Sequence, residues 1–146
     1  MQLSIRVHSN LLDLSLPRVM AIVNLTPDSF YISCDEKNEK HLLQHVEELL
    51  KQGADIIDLG ACSTRPNSTP ISIDEEWKRL RSALQAIRSH FPNAILSIDT
   101  FRSDIADKSL QMGADIINDV YGGRTDDKMW QVVAKHRVPY ILTHSQ

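Results

Sequence analysis

The sequence predicts an α/β protein built on a parallel sheet with right-handed crossovers, either open or closed into a barrel. Three observations predict it. Short apolar runs rich in Ile and Val ("VMAIVN", "DIIDLG", "AILSID", "DIINDV" and "PYILTH") lack polar alternation and read as strands buried on both faces. Stretches of helical period separate them. One phrase is also written twice, "QGADIIDLG" from Gln52 to Gly60 and "MGADIINDV" from Met112 to Val120. Each copy is a helix-ending Gly, a strand, and the polar residue at that strand's carboxyl end. In an eight-stranded barrel alternate strands feed the same interior layers, so similar packing demands can recur at this interval. Chance or duplication would produce the repeat too.

The opening "MQLSIRVHSNLLDLSLP" alternates and predicts a small hairpin rather than a signal-peptide core. After the first strand, a helix is expected from about Glu36 to Gln52, with Leu42, Leu43, Val46, Leu49 and Leu50 on one stripe and Gly53 as its terminus. The second helix opens on Ser72-x-x-Glu75, a capping-box pattern. It spaces Ile73, Trp77, Leu80, Leu84, Ile87 and Phe91 helically before Pro92 stops it. A short third helix runs from about Arg102 to Met112 and ends at Gly113. A fourth, with Met129, Val132 and Val133 inward, begins near Thr125 and runs to about Arg137; Pro139 then introduces the last strand.

No linker, low-complexity segment or charge block interrupts this order, and 146 residues suit one domain, 1–146. With 42% hydrophobic and 24% charged residues the composition is ordinary, and no apolar run approaches the eighteen or so residues of a membrane span. A net charge of −3 without a basic block argues against nucleic acid or membrane as the main partner. An anionic small molecule stays open. Cys34 and Cys62 give neither a disulfide framework nor metal-ligand spacing, which fits reduced thiols in the cytoplasm.

The apolar runs end on Asn24, Asp58, Asp99, Asn118 and His144. Any one of these could be a cap or a loop contact. Together they predict a polar arc on the carboxyl edge of the sheet, where α/β proteins place ligands. Asp58 is the weakest member, because Leu59-Gly60 follows it and it could serve only to order the loop beyond. Two loops stand out, "NLTPDSFY" after the first strand and "GACSTRPN" after the second. Ser63, Thr64 and Arg65 offer two hydroxyls and a guanidinium fork suited to phosphate oxygens, against the plainer reading of a capped turn with a surface arginine.

"NLTPDSF", "STRP", "SIDT" and "GADIINDV", in this order, resemble the signature segments of the dihydropteroate synthase family over essentially the whole chain. The resemblance implies a (β/α)8 TIM barrel, to which this chain contributes the N-terminal hairpin, about five strands and four helices. It implies the joining of 6-hydroxymethyl-7,8-dihydropterin diphosphate to 4-aminobenzoate in folate biosynthesis, with diphosphate released and sulfonamides competing for the aminobenzoate position. By matching motif, Asn24 is expected beside the diphosphate, helping to hold Mg²⁺. Thr64 and Arg65 are expected to meet the departing diphosphate. Asp99 and Asn118 are expected on the pterin edge. Pro27, Asp28, Phe30 and Pro66 belong to loops expected to close around aminobenzoate, with Asp28, Arg65 and Asp99 nearest the chemistry. The mechanism needs no covalent nucleophile, so Cys62 reads as packing or chance. A homodimer is expected of the full-length family.

The sequence departs from the family where Asn67 follows "STRP" in place of Gly, and where the stiffer, more charged "YISCDEKNEK" follows "DSF". A complete barrel takes roughly 250 residues. The expectation is therefore a fragment, a truncated reading frame or one segment of a longer protein, which does not turn over substrate alone. Two alternatives are a non-catalytic pterin- or phosphate-binding partial barrel and a folate-dependent methyl-transfer barrel. The latter shares the Asp99 and Asn118 type of contact but has no evident need for "STRP".

Overall fold

A computed structural model describes residues 3–7, 10–26, 36–62 and 71–144. Strands β1 (Ser4–Val7) and β2 (Asn10–Asp13) form the expected antiparallel hairpin. The rest alternates: β3 (Met20–Asn24), α1 (Glu36–Lys51), β4 (Ile56–Gly60), α2 (Ile73–His90), β5 (Ile95–Asp99), α3 (Ser103–Gln111), β6 (Ile116–Asp119), α4 (Met129–His136) and β7 (Tyr140–Leu142). The last five strands pair in parallel in the order β3-β4-β5-β6-β7. Strand order that never reverses, with right-handed crossovers, puts every helix on the same face of the sheet. That is the winding of a barrel, not of a doubly wound open sheet, and it settles the choice the apolar runs left open.

The period of two divides the strands cleanly between two cores. Val23, Ile57, Leu59, Leu96, Ile98 and Ile117 face the helices, where they meet Leu42, Val46, Leu80, Leu84, Ile87, Ile105 and Met129. Burying each such Ile or Leu fully stabilises the fold by about 1.5–3 kcal/mol. The other face carries Ile56 and Ile116, which pack with Met20, Ile95 and Ile141 against Val7, Ile5 and Leu12 of the hairpin. The hairpin therefore covers the inner face at the amino ends of the strands and leaves the carboxyl ends clear.

The repeated phrase does the same work twice. Gly53 (φ 101°) and Gly113 (φ 93°) turn the chain out of α1 and α3. Asp55 then accepts from the Val19 amide at 2.8 Å and from Arg18 Nη1 at 3.0 Å. Asp115 accepts from the Leu96 amide at 2.8 Å and from Arg88 Nη2 at 3.0 Å. Each Asp ties the start of its strand to the neighbouring strand and adds an arginine. The Val19 amide leads the groups holding Asp55 below the usual carboxylate range. Arg88 also donates to the carbonyls of Pro92, Ala94 and Gly113.

The second helix matches its predicted cap, with the Glu75 amide donating to Ser72 Oγ at 3.2 Å. The fourth does not start near Thr125. Residues 125–128 turn instead, because Asp126 accepts from the Ser103 amide (2.8 Å) and the Lys128 amide (3.1 Å). Its carboxylate thus supplies the α3 cap that Arg102 cannot. Among the described residues no helix is long and apolar enough to cross a membrane.

Candidate functional site at the carboxyl ends of the strands

Register places Asn24, Gly60, Asp99, Asn118 and Ile141 in one row across β3 to β7. The row lies at the carboxyl edge on the inner face, opposite the helices. Three of the five predicted strand ends, Asn24, Asp99 and Asn118, therefore share a face and a level. Asn24 is exposed; Asp99 and Asn118 are half-buried.

Asp58 requires a correction. It is not the strand end, because β4 continues to Gly60 and Asp58 sits two residues back, hence one layer deeper on the same face. There it is 2% exposed and accepts from Asn118 Nδ2 at 3.0 Å. The two polar residues of the repeated phrase touch. A carboxylate can only accept, so it selects the amino end of the Asn118 amide and leaves the amide oxygen for the mouth. Asp58 Oδ1 and the Ser97 hydroxyl of the adjacent strand are buried, with no hydrogen-bond partner among the described residues. Burial raises the Asp58 carboxyl; the nearby Ser97 hydroxyl and Asn118 amide partly offset it. His144 does not join the arc. β7 ends at Leu142, and His144 lies exposed beyond it.

Asp99 is the most perturbed carboxyl of the site. Burial first, then the charges of Asp58, Glu76 and Asp119, push it up to about 7. It occupies space that Gly60 leaves open, since a Cβ at Gly60 would meet Asp99 Oδ2 at 3.3 Å and Asp99 Cβ at 3.5 Å. Gly60 is not among the glycines with positive φ, so alanine fits its backbone. Gly60→Ala is therefore expected to leave the melting temperature within a few degrees while displacing the Asp99 carboxylate. Carboxyl-selective NMR should show the Asp99 titration midpoint moving away from about 7 in the variant. An unchanged midpoint would show that the added methyl does not reach the carboxylate.

Three further residues shape the site without being visible as strand ends. Asp119, wholly buried, accepts from the amides of Tyr121 (2.9 Å) and Gly123 (2.8 Å) and from the Tyr140 hydroxyl (2.8 Å). The Asp followed by two glycines in "NDVYGG" is a turn signal that could have exposed it. Ser97 and Glu76 carry no comparable signal. Pro27, Asp28, Phe30, Thr64, Arg65 and Pro66 lie outside the described residues, as does Cys34; Cys62 is half-buried. The described residues include no group of three His, Cys, Asp or Glu side chains able to hold a metal ion.

Residues 20–146 match the family described as pterin binding enzyme. The chain is 39% identical over 128 residues to the dihydropteroate synthase of Bacillus subtilis, covering 88% of itself and 45% of that protein. It superposes with a TM-score of 0.87, at 33% identity, on Xanthomonas albilineans dihydropteroate synthase solved with 4-aminobenzoic acid, covering 99% of this chain and 52% of that one. With the Burkholderia cenocepacia dihydropteroate synthase complexed with 7,8-dihydropteroate the TM-score is 0.82 at 30% identity, over 98% of this chain and 46% of the other. The chain thus spans about half the length of these relatives. The TIM-barrel winding, the strand-end row and these similarities agree: this chain belongs to the pterin-binding enzyme family.

Proposed function

We propose that the protein is a dihydropteroate synthase and that this chain supplies its pterin pocket. It would join 6-hydroxymethyl-7,8-dihydropterin diphosphate to 4-aminobenzoate and release diphosphate. The observation that carries the reading is the Asp99–Asn118 pair, adjacent in register, with the amide held in one orientation by Asp58. A pterin presents N–H donors beside a carbonyl and a ring nitrogen. A carboxylate suits the donors, and an amide suits a mixed edge. In the reaction the methylene–oxygen bond breaks with its electron pair leaving on diphosphate. The aminobenzoate nitrogen then bonds the methylene carbon and gives up a proton. Asp99, as a carboxylate, favours the electron-poor pterin; Thr64 and Arg65 are assigned to the diphosphate. One fixed electrostatic partner in such a site contributes about 3–4 kcal/mol of barrier lowering. Pro27, Asp28, Phe30 and Pro66 are assigned to the aminobenzoate side and to excluding water.

Asn24 fits a magnesium ion in chemical type, since Mg²⁺ takes hard oxygen ligands and is held largely by substrate phosphates and water. One exposed amide oxygen at a strand end is a sufficient protein share. When bound, the ion would neutralise charge on the leaving diphosphate. The reading also carries cytoplasmic location, a homodimeric whole protein and sulfonamide competition with aminobenzoate. Similarity to dihydropteroate synthases favours condensation over methyl transfer.

Calorimetric titration with pterin diphosphate and Mg²⁺ is expected to show saturable binding by this chain. The complete natural gene product should release diphosphate only when 4-aminobenzoate is added. No binding by the chain, or methyl transfer without diphosphate release, would sink the reading.

A further inference from the structure

Two hydrogen-bond acceptors stand side by side at the mouth. Asp99 and Asn118 are Cα partners in the β5–β6 register, on strands about 4.8 Å apart. Among the described residues no group donates to the Asp99 carboxylate or to Asn118 Oδ1. Neither residue has an oxygen among the buried polar atoms left without a partner, so both stay open to the mouth. An amide has a donor end and an acceptor end, and its neighbours decide which way each faces. Here the neighbour is Asp58, 2% exposed and one layer deeper, which accepts from Asn118 Nδ2 at 3.0 Å. Ser97, buried and opposite Asp58 in register, adds only a hydroxyl, and a hydroxyl turns to suit its partner. Reversing the Asn118 amide would set its oxygen against the Asp58 carboxylate in a buried layer, where such repulsion is little screened.

We propose that Asp58 is a positioning residue that sets ligand specificity: by fixing the Asn118 amide, it makes the pocket select a ring that carries an amino group over the same ring carrying a carbonyl. The ligand side of this inference rests on the proposed function; the orientation of Asn118 does not. With Asp99 and Asn118 Oδ1 both accepting, a 2-amino-4-oxo pteridine meets them with N–H donors. The Nδ2 hydrogen that Asp58 leaves free suits the ring nitrogen beside that amino group. The 2-oxo counterpart instead sets a carbonyl against an acceptor. A site built to bond a donor rejects a ligand that lacks it far more strongly than an apolar pocket rejects a missing methylene. An amide free to turn would offer its amino group to that carbonyl and take either ring. Asp58 touches no ligand in this scheme and acts through Asn118.

In the complete natural gene product, calorimetry should compare 6-hydroxymethylpterin with its 2-oxo counterpart. The unmodified protein is expected to favour the pterin about 100-fold. Asp58→Asn is nearly isosteric, yet its amide either accepts from Asn118 or donates to it, so both Asn118 orientations become available. The preference is expected to fall to about tenfold, with the 2-oxo ring bound no more weakly than before. A merely structural role would weaken both rings alike and leave the ratio unchanged. That result, or an unmodified protein that binds the pterin without preferring it, would overturn the proposal. If the unmodified protein binds neither ring, the proposed function fails and the specificity falls with it. NMR of the unmodified protein, which needs neither the variant nor a ligand, tests the orientation directly. The Asn118 side-chain amino group is expected to give one pair of resonances, protected from solvent exchange. A second pair, or exchange as fast as that of a free amide, would overturn the proposal as well.

Discussion

Asp99→Asn is expected to make the fold more stable at pH 8 and to remove most pterin binding. The folded-state carboxyl titrates near 7, against an ordinary value of 3.8. Between roughly pH 4 and 7 the folded protein therefore holds a proton that the unfolded chain has released. The contribution to stability is full below about pH 4 and is lost as pH rises through 7. At pH 8 the ionised side chain costs up to about 4 kcal/mol relative to an unshifted carboxylate. Asn carries no such cost. Urea denaturation should show the variant more stable at pH 8 and the two proteins nearly equal near pH 4. Binding should move the other way, because a carboxylate accepts two N–H groups and an amide oxygen offers less. A loss of about 100-fold is expected. In the unmodified protein, pterin affinity should rise as pH climbs through about 7; in the variant that rise should vanish. Parallel stability profiles for the two proteins would show that Asp99 is not strained by its surroundings.

Such strain is legible only in three dimensions. The sequence located Asp99 through its place at the end of an Ile-rich run, but burial and the charges of Asp58, Glu76 and Asp119 come from separate elements. The strands, the first three helices and the place of Asn24, Asp99 and Asn118 along one edge followed from period and order; the register that pairs Asp99 with Asn118 came from the structure. What failed was depth. "DIIDLG" is apolar on both faces, so nothing local shows that Asp58 lies one layer below the row instead of at its rim. His144 misled for a related reason: three apolar positions after Pro139 do not reveal that β7 stops at Leu142. The start of α4 was misplaced because Asp126 spends its carboxylate on the first amide of α3, a partner 23 residues away in the chain. Glu76 was equally hidden. At a helix start an acidic residue satisfies the macrodipole on any surface, and only the fold shows that this one is buried under Arg102. The repeated phrase, by contrast, carried more than its reading allowed. Its two aspartates at the amino edge and its touching Asp58 and Asn118 make it a packing rule used twice.

The second large effect is expected at Asp119, next to Asn118 but facing the other way. Asp119→Ala would strip partners from three donors at once: the amides of Tyr121 and Gly123 and the hydroxyl of Tyr140. A buried donor left without a partner costs about 1–3 kcal/mol, so a loss on the order of 3–5 kcal/mol is expected. Relaxation has little room. Gly123 sits at φ 73°, and a Cβ there would lie 2.7 Å from the Trp130 ring, so this turn is already closed tightly against α4. Trp130 in turn packs edge-on to Tyr140 at 5.1 Å. Asp119→Asn should fall between the two, because its amide oxygen can still accept from one backbone N–H while its amino group opposes the other donors. Burial, followed by the hydrogen bond and charge of Asp119, holds the Tyr140 phenol above its usual range. The alanine variant should therefore also let Tyr140 ionise at lower pH, read by phenolate absorbance. Chemical denaturation that ranks alanine below asparagine below aspartate, with that shift, would establish Asp119 as the anchor beneath Asn118. A cost under about 1 kcal/mol for alanine would mean that water replaces the carboxylate and that the turn needs no anchor.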